Sequence, residues 1–244
     1  MILNPDQVGE SHWTALKFHG YLSKDCQEEL GYSTLLRYLK EHDVVHRYPR
    51  KWPERQDEEK RAAFLEKLQE VHSDPKNSLW FGDEVGFEGD PRPRRTWVKK
   101  GSKPKVPYLG DHIRYNAMGA VNPKSGEFFS LVVPHSDKEV FQVFLDEFAK
   151  HTAKDSKQTI LVLDNASWHK NSDLQWHHIM PCFLPPYSPD FNPIEQIWKV
   201  LKHKFFANWI AKSPEVLIER ICSAIQSLLP EEISSIASIE HLVQ

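Results

Sequence analysis

The sequence predicts an α/β fold, a mixed sheet flanked by helices, with a small helical helix-turn-helix unit before it. Three observations lead there. Helical spacing dominates the first part of the chain, two-residue alternation begins near Asn77, and the remaining segments run strand, hairpin, helix, strand, strand, helix. A chain of 244 residues has room for a medium-sized domain with a small appendage.

From residue 12 to about 50 the chain reads as helical, with Trp13, Leu16, Tyr21 and Leu22 at roughly helical intervals. A break at Gly31-Tyr32 makes Ser33 the expected N-cap of STLLRYLKEH. Leu35, Leu36 and Leu39 supply an apolar stripe there, which leaves Thr34, Arg37, Tyr38, Lys40 and Glu41 on the open side. Short helices joined by a tight turn fit a helix-turn-helix, and they fit a small helical bundle with no DNA role equally well. RYPRKWPER (47–55) reads as an extended linker, because proline disfavours helix before it. EEKRAAFLEKLQEVH (58–72) then reads as an amphipathic helix.

SLWFGDEVGFE (78–88) alternates, with Leu79, Phe81, Asp83, Val85 and Phe87 on one face. NAMGAVNPKSGEFFSLVVP (116–134) forms a hairpin turning at 122–126, and DKEVFQVFLDEFAKH (137–151) an amphipathic helix. TILVLD (159–164) is a continuous apolar run, as a central strand buried on both faces would be. HIMPCFL (178–184) holds Pro181 and belongs nearer an edge. NPIEQIWKVLKHKFF (192–206) and a segment from Pro214 to Leu229 are helical.

No apolar run approaches the roughly 20 residues that span a bilayer. The N-terminus has neither a basic n-region nor an apolar core, and Cys26, Cys182 and Cys222 are odd in number and scattered. A cytoplasmic protein with reduced thiols and no membrane partner is expected. The net charge of −3 hides a local excess: PRPRRTWVKKGSKPK (91–105) carries Arg92, Arg94, Arg95, Lys99, Lys100, Lys103 and Lys105 with no acidic residue. That run suits a loop on DNA phosphates, or a solvated hairpin. Lys199, Lys202 and Lys204 suit either role too. Trp176, His177, His178 and Cys182 match no common zinc spacing, and no Gly-rich phosphate loop is present.

Three carboxylates carry the chemistry. Asp83 shares a strand face with large apolar residues, where ionisation is costly without a partner such as a buried Arg. Asp164 ends an apolar strand, where ligands gather in open sheets, though an Asx-turn would also place an Asp there. Glu195 stands three residues after Asn192, so Asn-Pro-Ile-Glu reads locally as a capping box. If the three converge, each pair about 5 Å apart repels by roughly 3 kcal/mol at an effective dielectric near 20. An oxygen-only cluster of that kind suits Mg²⁺ or Mn²⁺, and a pair of such ions serves phosphoryl transfer.

The strings FGDEVGF (81–87), LDNASWH (163–169) and LPPYSPDFNPIEQIWKVLK (184–202) resemble the signature blocks of mariner-type DDE transposases, and within that group the bacterial insertion-sequence branch. The resemblance implies an RNase H-like fold of the retroviral-integrase superfamily. It implies a triad of Asp83, Asp164 and Glu195 that binds two Mg²⁺ or Mn²⁺ ions for DNA strand cleavage and strand transfer. His169 falls in the second block as an accessory residue near DNA or the metal surroundings. The resemblance implies that residues 1–50 form the second of two helix-turn-helix units, the first missing, with Ser33, Thr34, Arg37 and Tyr38 on DNA. Residues 51–76 form a linker and helix, and 77–244 the catalytic domain, whose Arg92, Arg94, Arg95, Lys99 and Lys100 also face DNA. The implied partners are double-stranded DNA, as terminal repeats and target, and a second copy of the chain, since two ends must be joined. The implied place is the bacterial cytoplasm, at the nucleoid. Two departures stand out: the missing first unit, and a spacing of 30 residues between Asp164 and Glu195, shorter than many relatives have. The first leaves open a truncated, non-catalytic DNA-binding competitor or repressor. A repair or RNA-cleaving nuclease on the same fold is a third reading.

Overall fold

The computed structural model describes residues 2–47, 55–154 and 156–243. The chain divides into two compact units, Met1–Trp52 and Pro53–Gln244. Most of the segment read as a linker, 48–54, lies outside the described residues.

The first unit has two helices, α1 (Ala15–Lys24) and α2 (Tyr32–Glu41). Thr14 caps α1 by accepting the Lys17 N–H. Phe18, buried, and Trp13 pack edge-on with ring centroids 5.2 Å apart, whereas Leu16 is exposed. Ser33 is not the N-cap of α2. The helix begins two residues earlier than a Ser33 cap would place it, at Tyr32, because the Leu35 N–H already closes on the Gly31 carbonyl at 3.0 Å, and Gly31 caps it without a side chain. Leu35 is buried, but Leu36 is exposed, so the apolar stripe is narrower than its spacing suggests. Ser33, Arg37 and Tyr38 are exposed and Thr34 is half-buried. Residues 42–47 are not helical.

The second unit opens with α3 (Glu58–Ser73), capped by Asp57. A five-stranded sheet follows: β1 (Asn77–Glu88), β2 (Arg114–Val121), β3 (Phe128–Val133), β4 (Gln158–Leu163) and β5 (Met180–Phe183), in the order β3-β2-β1-β4-β5. β1–β2 and β2–β3 are antiparallel; β1–β4 and β4–β5 are parallel. Pro181 does lie on the edge strand, where its missing N–H costs least.

The pleat of β1 sends alternate residues into two cores. Leu79, Phe81, Val85 and Phe87 meet α3, α5 (Ile194–Phe205), α6 (Pro214–Gln226) and α7 (Pro230–Ile236), through residues such as Leu68, Trp198, Leu217 and Ile233. Trp80 faces the other way, onto α4 (Lys138–Thr152), with Phe144 and Phe148. The helix expected from Pro214 to Leu229 ends at Gln226, and a further helix, α7, follows from Pro230. Ser227 closes α6 and Pro230, which cannot continue it, starts α7. No helix among the described residues is long and apolar enough to cross a membrane.

The β2–β3 turn is fixed by Asn122, whose Oδ1 accepts the N–H groups of Lys124 and Ser125. Gly126 completes the turn at φ 72°, and a Cβ there would fall 2.0 Å from the Pro230 carbonyl oxygen. A left-handed backbone and a clash with main chain act together. Gly126→Ala should cost more than about 2 kcal/mol in urea unfolding; a loss of a few tenths would show that the α7 contact is not rigid.

Candidate active site

Asp83, Asp164 and Glu195 line one cavity of about 500 Å³, together with Asn165, Asn192 and the 184–189 loop. Each comes from a different element. Asp83 lies within β1, Asp164 follows the last residue of β4, and Glu195 is the second residue of α5. β1 and β4 are adjacent and parallel, which brings the first two side chains to neighbouring strands.

No basic side chain among the described residues pairs with Asp83. Its Oδ2 instead accepts the indole N–H of Trp198 at 3.1 Å. Burial pushes the Asp83 pKa up to about 8, reinforced by the negative charges of Glu195, Glu84 and Asp164. Asp164 goes the other way. Its hydrogen bond from His169 and that from the Ala166 N–H hold its pKa below the usual carboxylate range. The Asx-turn is therefore real, Ala166 N–H to Asp164 Oδ1 at 3.0 Å, yet the side chain remains 54% exposed at the cavity. Two carboxylates in one cavity thus differ in proton affinity, as acid–base and metal sites commonly require.

The capping box at Glu195 does not form. Asn192 does not cap α5: its Oδ1 accepts no backbone N–H of the helix, while its Nδ2 donates to the Gly82 carbonyl of β1 at 3.0 Å, tying the helix entry to the strand that carries Asp83. The N-cap position is Pro193, which has no side-chain acceptor, and α5 starts at Ile194. Glu195 keeps its carboxylate out of local hydrogen bonds and half-buried at the cavity. The Asn192 Oδ1 is buried with no hydrogen-bond partner among the described residues.

His169 is almost fully buried and links two acids. Its Nδ1 lies 2.9 Å from Asp164 Oδ1 and its Nε2 2.9 Å from Glu84 Oε1. Burial works to lower its pKa, but the hydrogen bonds to Asp164 and Glu84 prevail and raise it to about 9. Charged, it donates from both nitrogens. Sequence reasoning missed Glu84: it sits on the strand face opposite Asp83, and its partner is 85 residues away.

The signature loop is held from behind by α3. Arg61 donates to Asp190 Oδ1 and Oδ2 at 3.1 and 2.8 Å and to Ser188 Oγ at 2.8 Å, with its guanidinium 4.0 Å from the Phe191 ring centroid. The fork geometry suits a carboxylate. The sequence pattern of 58–72 marks a helix and does not single out Arg61.

The basic run is an irregular excursion between β1 and β2, with no hairpin strands of its own. Its base is pinned beside α5: the Arg94 N–H donates to Asn208 Oδ1 at 2.8 Å and Asn208 Nδ2 to the Arg94 carbonyl at 3.2 Å. Arg94, Arg95, Lys99 and Lys100 are exposed; Arg92 is half-buried and 3.5 Å from Glu88. Arg92 and Arg94 share a groove with Lys199, Lys202, His203 and Lys204 of α5. Glu195, Lys199 and Lys202, four and then three residues apart, lie along one helix face that leads from the carboxylates into this groove. Burial and the nearby Arg92 lower the Lys202 pKa, a crowding of cations that an anion would relieve.

The residues present fit divalent cations. Three carboxyl groups and the Asn192 Oδ1 offer hard oxygens in one cavity, and burial together with the neighbouring acids keeps the Asp83 pKa raised. Among the described residues no group of three or more His, Cys, Asp or Glu side chains is arranged so that it could hold a metal ion.

An uncharacterized protein of Sinorhizobium fredii, y4pE/y4sA, is 35% identical over 114 residues, 46% of this chain and 84% of its own. The insertion element IS630 uncharacterized 39 kDa protein of Shigella sonnei is 26% identical over 213 residues, 84% of this chain; the chain spans 61% of that protein's length. The mariner Mos1 paired end complex with Mg shares the fold at TM-score 0.68 and 15% identity, over 96% of this chain and 76% of that one. The RNase H-like expectation holds in that likeness and in the mixed sheet. A winged helix-turn helix family model matches residues 10–68. A model described as DDE superfamily endonuclease matches residues 78–218, more than half of the chain, and this protein belongs to that family.

Proposed function

We propose that the chain is an insertion-sequence transposase that cleaves DNA at element ends and transfers the freed strand to target DNA. The observation that carries the reading is the convergence of Asp83, Asp164 and Glu195, from three separate elements, on one cavity with a basic groove on the same helix as Glu195. Asp83, Asp164 and Glu195 would hold a pair of Mg²⁺ or Mn²⁺ ions, with Asn192 Oδ1 as a neighbouring acceptor. Bound there, two such ions supply positive charge to the attacking and leaving oxygens of an in-line displacement.

The chain's own residues do the rest. Ionised Asp164 accepts from His169, which Glu84 holds by its other nitrogen, so the carboxylate has a fixed direction. Arg92, Arg94, Arg95, Lys99 and Lys100, with Lys199 and Lys202, hold backbone phosphates and set the register of the scissile bond. In cleavage, water forms the new bond to phosphorus and the 3′-oxygen leaves as a hydroxyl. In transfer, that 3′-hydroxyl oxygen bonds to a target phosphorus and a target 3′-oxygen leaves. Ser33, Thr34, Arg37 and Tyr38 of α2 would contact the terminal repeats. A homodimer at the nucleoid is part of the same proposal, since joining two ends calls for two sites. The domain division at 1–50, 51–76 and 77–244 belongs to it as well.

The test is cleavage of supercoiled plasmid and linear duplex by the purified chain in Mg²⁺, in Mn²⁺ and in EDTA. Nicking with either ion and none in EDTA is expected. DNA binding without divalent-dependent nicking would favour a competitor or repressor, and preference for an RNA–DNA hybrid would favour the RNA-cleaving reading.

A further inference from the structure

At the rim of the carboxylate cavity, Tyr187 stands with φ 58°, in the left-handed region. For a bulky side chain that backbone costs on the order of 1–3 kcal/mol and persists only where surroundings impose it. The surroundings are visible. Gln56 Nε2 donates to the Tyr187 carbonyl at 2.7 Å, and Arg61 fixes the next residue, Ser188, and Asp190. Pro186 and Pro189 stiffen the loop on both sides. This strained and latched loop holds an aromatic ring that is 53% exposed, on the wall shared with Asp83, Asp164 and Glu195. No aromatic pair among the described residues holds the ring, and the strain lies in the backbone, so aromatic packing does not account for it.

We infer that Tyr187 is a stacking platform for the nucleobase next to the phosphate held at the carboxylates, so that this site takes a frayed, unpaired nucleotide in preference to intact duplex. The inference rests on the nuclease reading and adds to it a substrate conformation. Every base has a π-face that an aromatic ring can meet, which makes such contacts sequence-tolerant, worth about 10- to 100-fold in affinity per base. A paired base offers neither face, so its nucleotide must leave the stack before the ring can reach it.

The probe is a generic duplex oligonucleotide with 2-aminopurine in a two-base mismatch at its end, compared with the fully paired duplex, in Ca²⁺. Wild type should quench the fluorophore on the mismatched probe, and Tyr187→Phe should quench it equally. Tyr187→Asn, a residue that tolerates the left-handed backbone, should lose the quenching. It should also bind the mismatched probe about 10- to 100-fold more weakly, bind paired duplex within about twofold of wild type, and keep the same salt slope, since no charge is removed. Quenching by Tyr187→Asn at the wild-type level overturns the inference alone, as does equal loss by Tyr187→Phe, which would make the hydroxyl the contact. A wild-type chain that binds neither probe overturns the nuclease reading with it. Melting temperatures of both variants within a few degrees of wild type separate lost stacking from lost fold.

Discussion

Asp164→Asn should reduce divalent-cation-dependent DNA cleavage by about 10³-fold or more, while the fold and DNA affinity stay close to wild type. The substitution is nearly isosteric. An amide oxygen in place of Oδ1 can still accept from the Ala166 N–H and from His169, so the turn after β4 keeps its hydrogen bonds. What disappears is one negative charge, from the one triad member whose pKa is held low and which is therefore ionised at neutral pH. The basic residues proposed to hold phosphates are untouched, so affinity measured in EDTA should change by less than about twofold. Plasmid nicking, circular dichroism and fluorescence anisotropy on one preparation would separate these effects. Cleavage at the wild-type rate would remove Asp164 from the triad.

Part of this site is written locally in the chain and part is not. The alternation of β1 puts Asp83 on the same face as Phe81 and Val85, because a strand's two-residue period leaves no choice once its neighbours are buried. The run Gln158–Leu163 ends one residue before Asp164 for a similar reason: five consecutive buried residues identify a central strand, and the first polar position beyond it lies at the rim. Glu195 was the harder case. Asn192 and Glu195 have capping-box spacing, and nothing within the segment says that the Asn192 amide will cross to Gly82, 110 residues earlier. Ser33 is a simpler case: a serine before an apolar run is a good cap, but the helix starts two residues earlier, on the Gly31 carbonyl. Glu84, Arg61 and Tyr187 were invisible as site residues because their roles depend on partners or cavities assembled from distant segments. Local pattern thus places Asp83 and Asp164, whereas the setting of Glu195 and the residues that hold and flank the three emerge only from tertiary contacts.

Asp83→Asn should flatten the pH dependence of stability in the cation-free protein and abolish its stabilisation by Mg²⁺. The folded pKa of Asp83, about 8, lies above the ordinary 3.8. Between those values the folded chain retains a proton that the unfolded chain has released, so stability is greatest below the lower pKa and declines as pH rises through the upper one. The slope approaches about 1.4 kcal/mol per pH unit for one proton. His169 contributes in the same direction over a later window: its pKa, about 9 against an ordinary 6.5, gives stability that is complete below 6.5 and lost as pH passes 9. The two windows overlap only in part. From about pH 5 to 6.5 the decline belongs to Asp83, and beyond about 8 it belongs to His169. In EDTA the wild-type Tm should therefore fall by on the order of 10 °C between pH 5.5 and 8, and that of Asp83→Asn should hold nearly level to about 6.5 and then fall less steeply. Mg²⁺ has to displace the Asp83 proton to bind, so the Tm it adds to wild type should grow from pH 6 to 8 and be absent in the variant. A thermal-shift series across pH, with and without Mg²⁺, reads all of this at once. Equal Mg²⁺ stabilisation of wild type and Asp83→Asn would mean that the ion binds elsewhere and that the raised proton affinity of Asp83 has no part in it.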